Sequence, residues 1–191
     1  MKQLALPFLI LFLFFLPQPA PAKDLAPNPV AISGASAQDV FPLKKVDWRH
    51  ILSGEINAKG QATGFHYAGV DFVPRSARVI NTGQPDSRGI VKAEIELFDP
   101  KSGKWVAKKS GSTLFPSDWT RGQLEREILA AYASATLTRP LDGDAWSWRG
   151  RSPSGVLIQG VVDREGTIQT AYPIREPGKP KAPLSKPQKS L

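Results

Sequence analysis

The 191-residue chain carries two histidines and no cysteine. Both histidines lie in one glycine-punctuated stretch, His50-Ile51-Leu52-Ser53-Gly54-Glu55 followed by Gly64-Phe65-His66-Tyr67. An unperturbed imidazole titrates at about 6.5, so two rings facing one cleft can divide a proton transfer between them. Two histidines in a domain of this size are no enrichment. Their setting beside glycines, in irregular backbone where a side chain can face a cleft, is what singles them out. The same pair could instead bind a metal with Glu55 or Asp71 as third ligand, although the spacing matches no recognised zinc site.

Two further segments could contribute. Lys108 and Lys109 end a run expected to be a strand, where alternation sends them to opposite faces. A lysine ending a strand beside a cleft can stabilise a charged phosphorane, the plainer alternative being a solvated side chain. In Thr170-Ala171-Tyr172-Pro173, Thr170 and Tyr172 share a face at period two. An exposed tyrosine there can stack on a sugar or base, and Thr170 can hydrogen-bond a base edge. A packed tyrosine in a terminal strand is the alternative.

These residues need a frame. Val46 to Ile56 fits a helical turn or two around Trp48 and Ile51, ending at Gly54, and Asn57 to Gly64 reads as a loop delivering His66. Val91, Ala93, Ile95 and Leu97 alternate with Lys92, Glu94 and Glu96, the pattern of a strand with one buried face. A turn at Asp99 to Gly103 leads to a partner strand at Lys104 to Lys109. Thr120 followed by Gln123 predicts a capping box, with Trp119 stapled onto Leu124, and Leu124, Ile128, Ala131 and Tyr132 share one helical face. Ala145 to Gly150 is a short strand. Gly155 to Val162 and Thr167 to Ile174 form a hairpin turning at Asp163 to Gly166. The expected class is α+β: an N-terminal helical segment, then antiparallel hairpins with an inserted helix.

The ends differ from this core. Residues 1–22 have a basic start, an apolar run from Leu4 to Leu16 and small residues at Ala20 and Ala22, the pattern of a signal peptide cut after Ala22. The run is shorter than the ~20 residues a spanning helix needs, so no stable membrane anchor is expected after cleavage. Secreted or periplasmic localisation follows. Loss of Lys2 with that segment lowers the formal charge from +8 to +7, which favours polyanionic partners. Residues 23–45 read as a flexible linker, 46–175 as one domain, and 176–191 as a Pro/Lys-rich disordered tail. The domain is expected to be a monomer.

In order, these segments resemble the EndoU-type endoribonucleases, above all the bacterial domains found as toxin modules. His50-Ile-Leu-Ser-Gly-Glu55 is similar to the first family motif, and Gly64-Phe65-His66 to the second. Lys108, with Ser112-Thr113-Leu114-Phe115-Pro116 and Trp119, resembles the bacterial K…S-T-F-F-P…W segment, Leu114 standing where Phe is usual. Thr170-Ala171-Tyr172-Pro173 resembles the closing T-x-Y-P element, which the coronaviral uridylate-specific endoribonuclease shares. The resemblance spans about His50 to Ile174 and implies an EndoU/barnase-like nuclease fold. It further implies attack of an RNA 2′-hydroxyl on the adjacent phosphorus, giving 2′,3′-cyclic phosphate and 5′-hydroxyl ends without a cofactor. On that reading His66 is the general base, His50 the general acid and Lys108 the phosphorane stabiliser. Tyr172 orients the ribose, and Ser112 and Thr170 contact the base, with uridine favoured. RNA is then the substrate, and a toxin role would bring a cognate immunity protein as partner.

Two other classes compete. One is a non-catalytic exported module binding polyanions. The other is a metal-dependent hydrolase using His50, His66 and Glu55.

Overall fold

The computed structural model describes residues 35–141 and 144–176. The expected signal peptide, the first part of the expected linker and all but the first residue of the expected tail lie outside the described residues. Among the described residues no helix is long and apolar enough to cross a membrane.

Two short helices and a short strand come first: α1 (Ala37–Val40), β1 (Lys45–Val46) and α2 (Trp48–Leu52). α1 and the first residue of β1 thus fall within the stretch expected as linker. Ala37 and Phe41 are buried in the main core, and the Tyr132 hydroxyl donates to the Phe41 carbonyl at 2.7 Å. A capping box between Ser36 and Asp39 closes the first turn of α1.

Next come the small hairpin β2 (Glu55–Ile56) and β3 (Ala62–Thr63), and the strands β4 (Ala77–Thr82), β5 (Val91–Asp99), β6 (Lys104–Ala107) and β7 (Ser112–Leu114). β5 is the spine of this sheet, antiparallel to β4 on one edge. Its other edge takes β6 along Glu96 to Asp99 and β7 along Val91 to Ala93. The alternation expected in β5 is present: Ala93, Ile95 and Leu97 are buried with Phe65 and Leu114 in a second core, while Lys92 and Glu94 face out.

The helix α3 (Arg121–Ala133) starts where the sequence places it, with the Thr120 hydroxyl accepting from the Gln123 N–H. The box does not close, because no hydrogen bond returns from the Gln123 side chain. Asp71, fifty residues earlier, accepts from the Arg121 N–H instead, adding negative charge at the helix N-terminus. Leu124, Ile128, Ala131 and Tyr132 are buried as expected. They pack against a five-stranded sheet of order β1-β11-β10-β9-β8, formed by β8 (Thr136–Leu141), β9 (Ala145–Arg151), β10 (Leu157–Asp163) and β11 (Thr167–Pro173). Burying a side chain such as Ile128 or Ile158 is worth roughly 1.5–3 kcal/mol. β1 pairs with β11 in parallel; the other neighbours are antiparallel. The fold is α+β, with few helices and several antiparallel sheets, and β7 lies beside β11 where the sheets approach.

Candidate active site

The site forms where α2, the β2–β3 hairpin, β7 and β11 meet. Asp47 caps α2 by accepting from the His50 N–H at 3.0 Å. The carbonyls at the C-terminal end of α2 lack partners within the helix and are taken up by the returning chain. Phe65 N–H donates to His50 O at 2.9 Å and His66 N–H to Ile51 O at 2.7 Å. That return requires a left-handed backbone at Gly64 (φ 73°), where a Cβ would collide with the His50 carbonyl, and Phe65 keeps a positive φ of 58°. Both histidines are thus carried on one hydrogen-bonded frame. Their ring centroids lie 6.3 Å apart.

Each ring is fixed through Nδ1. His50 Nδ1 lies 2.6 Å from Glu55 Oε1, which also accepts from the Thr63 hydroxyl. His66 Nδ1 lies 3.0 Å from the Thr113 carbonyl. Both partners only accept, so Nδ1 donates in each ring and Nε2 is left for chemistry. His66 is buried, and its pKa is lowered to about 3, first by desolvation and then by the Lys108 charge, with His50 adding to it; the Thr113 hydrogen bond works in the opposite direction. It is therefore neutral at pH 7.

Lys108 follows β6 and turns inward, its Nζ donating to Gly64 O at 2.9 Å and to Ser112 Oγ at 2.8 Å. Burial lowers its pKa to about 8, opposed by the Glu55 charge. Ser112 also donates to Gly64 O. Lys109 is exposed and does not line the cleft. On β11, the Tyr172 ring stacks on His66 at a centroid distance of 5.4 Å. The Thr170 hydroxyl oxygen is buried without a hydrogen-bond partner.

All six residues singled out in the sequence, His50, His66, Lys108, Ser112, Thr170 and Tyr172, line one open cleft of about 420 Å³. Three neighbours were not singled out as site residues by sequence. Thr113 acts through its carbonyl, which no side-chain pattern reveals. Lys92 enters the cleft because it pairs in register with Thr113. Gln159 lies opposite both Tyr172 and Arg149 in the sheet. Its amide donates to the Tyr172 hydroxyl at 2.8 Å and accepts from Arg149 at 2.7 Å. Glu55, weighed above as a metal ligand, is the hydrogen-bond partner of His50. Among the described residues no group of three His, Asp or Glu side chains is arranged to hold a metal ion.

A family model described as bacterial EndoU nuclease matches residues 45–175. A protein from Bacillus cereus described as a toxin is 32% identical over 128 residues, covering 65% of this chain and 22% of that protein. The chain thus spans about a fifth of the length of that relative. No solved structure gives a significant match.

Proposed function

Since this chain belongs to the bacterial EndoU nuclease family, we propose that it is an endoribonuclease cutting single-stranded RNA by paired imidazole catalysis. The observation that carries this reading is the convergence of His50, His66 and Lys108 on one cleft, each ring tied back through Nδ1. His66, neutral at pH 7, takes the proton of the RNA 2′-hydroxyl through Nε2 as that oxygen attacks the adjacent phosphorus. The bond to the 5′ oxygen breaks, and His50 supplies that oxygen with a proton from its own Nε2. The products are a 2′,3′-cyclic phosphate and a free 5′-hydroxyl. Lys108 faces the phosphorane oxygens, where charge accumulates in the transition state. An anionic phosphodiester in the cleft also offsets the cationic neighbours that depress His66.

Tyr172 orients the ribose. Ser112 and Thr170 address the base, with uridine favoured because its edge suits small hydroxyls. The unpartnered Thr170 oxygen supports this, since a buried hydroxyl is costly until it is paired. The similarity to a protein described as a toxin supports a toxin role, with a cognate immunity protein as partner. The leader pattern of residues 1–22 supports export to a secreted or periplasmic location.

The test is incubation of the domain with uridine-containing RNA in chelator, with end analysis of the products. Cyclic-phosphate ends are expected from the wild type, with losses of about 10²-fold or more for His50→Ala and for His66→Ala. A 2′-deoxy substitution at the cut position should block cleavage. Intact RNA across a range of pH would overturn the reading, and activity lost to chelator alone would favour the metal-dependent alternative.

A further inference from the structure

The catalytic cleft holds little more than one phosphodiester with its sugar and base, yet RNA is a polymer and must leave the cleft on both sides. A groove of about 740 Å³ adjoins the cleft and shares Lys92, Lys108, Ser110 and Gly111 with it. Its floor is the outward face of β5, and its walls are β4 and the turn after β6. Beyond the shared residues it gains Lys109 and Arg175. Arg175 follows β11 by two residues and reaches across to donate to the Gln84 carbonyl at 2.8 Å, which fixes the guanidinium over the groove. Among the described residues Lys92, Lys109 and Arg175 have no carboxylate within ion-pair distance. Of the two acids that line the groove, Glu96 is bound to Arg78, leaving Glu94 as the single uncompensated one. The surface is cationic, grooved and continuous with the site of chemistry.

We propose that this groove is a second nucleotide subsite that binds RNA through the phosphate on the 5′ side of the attacked ribose. The inference rests on the proposed roles of the histidines. His50 marks the side on which the leaving 5′ oxygen departs, with Thr63 and Gly64 near it. The groove contains none of His50, Thr63 and Gly64, and meets the cleft through Lys92, Lys108, Ser110 and Gly111. A chain bound in it is therefore the upstream strand. Arg175 offers a planar guanidinium held by one carbonyl, with donors left for a phosphate, and Lys109 supplies an exposed ammonium lining the same groove.

The test compares a cleavable dinucleotide with trinucleotides extended by one residue on the 5′ or the 3′ side. The 5′ extension should raise kcat/KM about tenfold, the scale of one charge-assisted contact, and the 3′ extension clearly less. In the Lys109→Ala/Arg175→Ala double variant, both positions being exposed, the gain from the 5′ extension should shrink to about twofold or less. A second readout needs no catalysis: affinity for a pentanucleotide made uncleavable by 2′-deoxy substitution, measured across salt. Loss of one phosphate contact should flatten the slope of log affinity against log salt by about 0.7. The proposal is overturned if either the 5′ gain or the salt slope stays at the wild-type value in the double variant. A wild-type protein that binds the pentanucleotide but cuts no RNA would overturn the catalytic reading instead, and the salt slope would still decide the subsite.

Discussion

The backbone N–H of Phe65 donates to the carbonyl of His50 at 2.9 Å, and this bond sets how far apart the two imidazoles sit. It exists only because Gly64 turns the chain back with a left-handed φ of 73°. The relative position of the two imidazoles is thus a backbone property of the end of α2 and the Gly64–His66 segment that returns to it.

Gly64→Ala tests that. A Cβ at this position meets the His50 carbonyl, a backbone atom that cannot move without moving the histidine. Displacements of about 1 Å in a reacting group commonly cost about 10² in rate. We expect kcat to fall by about that factor while a shift in melting temperature shows how much of the loss is unfolding. Full activity in a folded Gly64→Ala protein would mean the spacing is not critical.

The alkaline side of the pH–rate profile should report Lys108. Its pKa is lowered to about 8 by burial, so its positive charge is complete below that pH and is lost above it. kcat/KM is expected to decline through about pH 8, and Lys108→Arg, which keeps its charge, should remove that limb at the cost of a lower plateau. An unchanged limb in the variant would assign the decline to another group.

His66 should make the fold acid-sensitive. In the unfolded chain it binds a proton below about 6.5, whereas in the native protein it stays neutral down to about 3. Between those values the unfolded state holds more protons, so stability falls as pH falls, by about 1.4 kcal/mol per pH unit from this group. Urea denaturation at a series of pH values should show a shallower decline for His66→Gln than for wild type. Parallel curves would show that His66 is not held neutral.

Gln159 should control the direction of the Tyr172 hydroxyl. Because the amide donates to the hydroxyl oxygen, the phenolic proton is free to donate toward substrate. Gln159→Glu should keep the partnership with Arg149 but turn that proton toward the new carboxylate. A rise in KM of about 3–10-fold with little change in kcat is expected, the value of one hydrogen bond. Gln159→Leu, which leaves the hydroxyl free to rotate, should cost less than Gln159→Glu.

Features that depend on a few neighbouring residues were the legible ones. The period-two alternation of β5 and the Thr120 cap of α3 are each written within a few residues, and both appear in the structure. The capping box at Gln123 does not close, and the neighbouring Arg121 N–H is taken by Asp71, fifty residues away in sequence and so outside any local pattern. β4 was invisible because Arg78 to Thr82 are exposed on both faces, so no alternation marks it. α1 carries a local start signal in Ser36 and Asp39, but its four residues are too few to show a helical period, and the burial of Phe41 at its end depends on Tyr132, ninety-one residues away. The site followed the same division. Its side chains were readable through motifs, but Gln159 meets Tyr172 only through sheet register, and the Thr113 carbonyl has no side-chain signature.

The position of β11 has a consequence for when the cleft is complete. The strand sits between β10 and β1, the latter contributed by the first part of the described chain, and it alone supplies Thr170 and Tyr172. A ribosome that has made everything up to Gly166 has already released both histidines and Lys108, but not the strand that closes the sheet over them. Long-range closure of this kind is also slow. The cleft is therefore complete only once the last strand has emerged and paired with β1 at Lys45 and Val46, which makes this wall of the site one of the last parts of the fold to assemble.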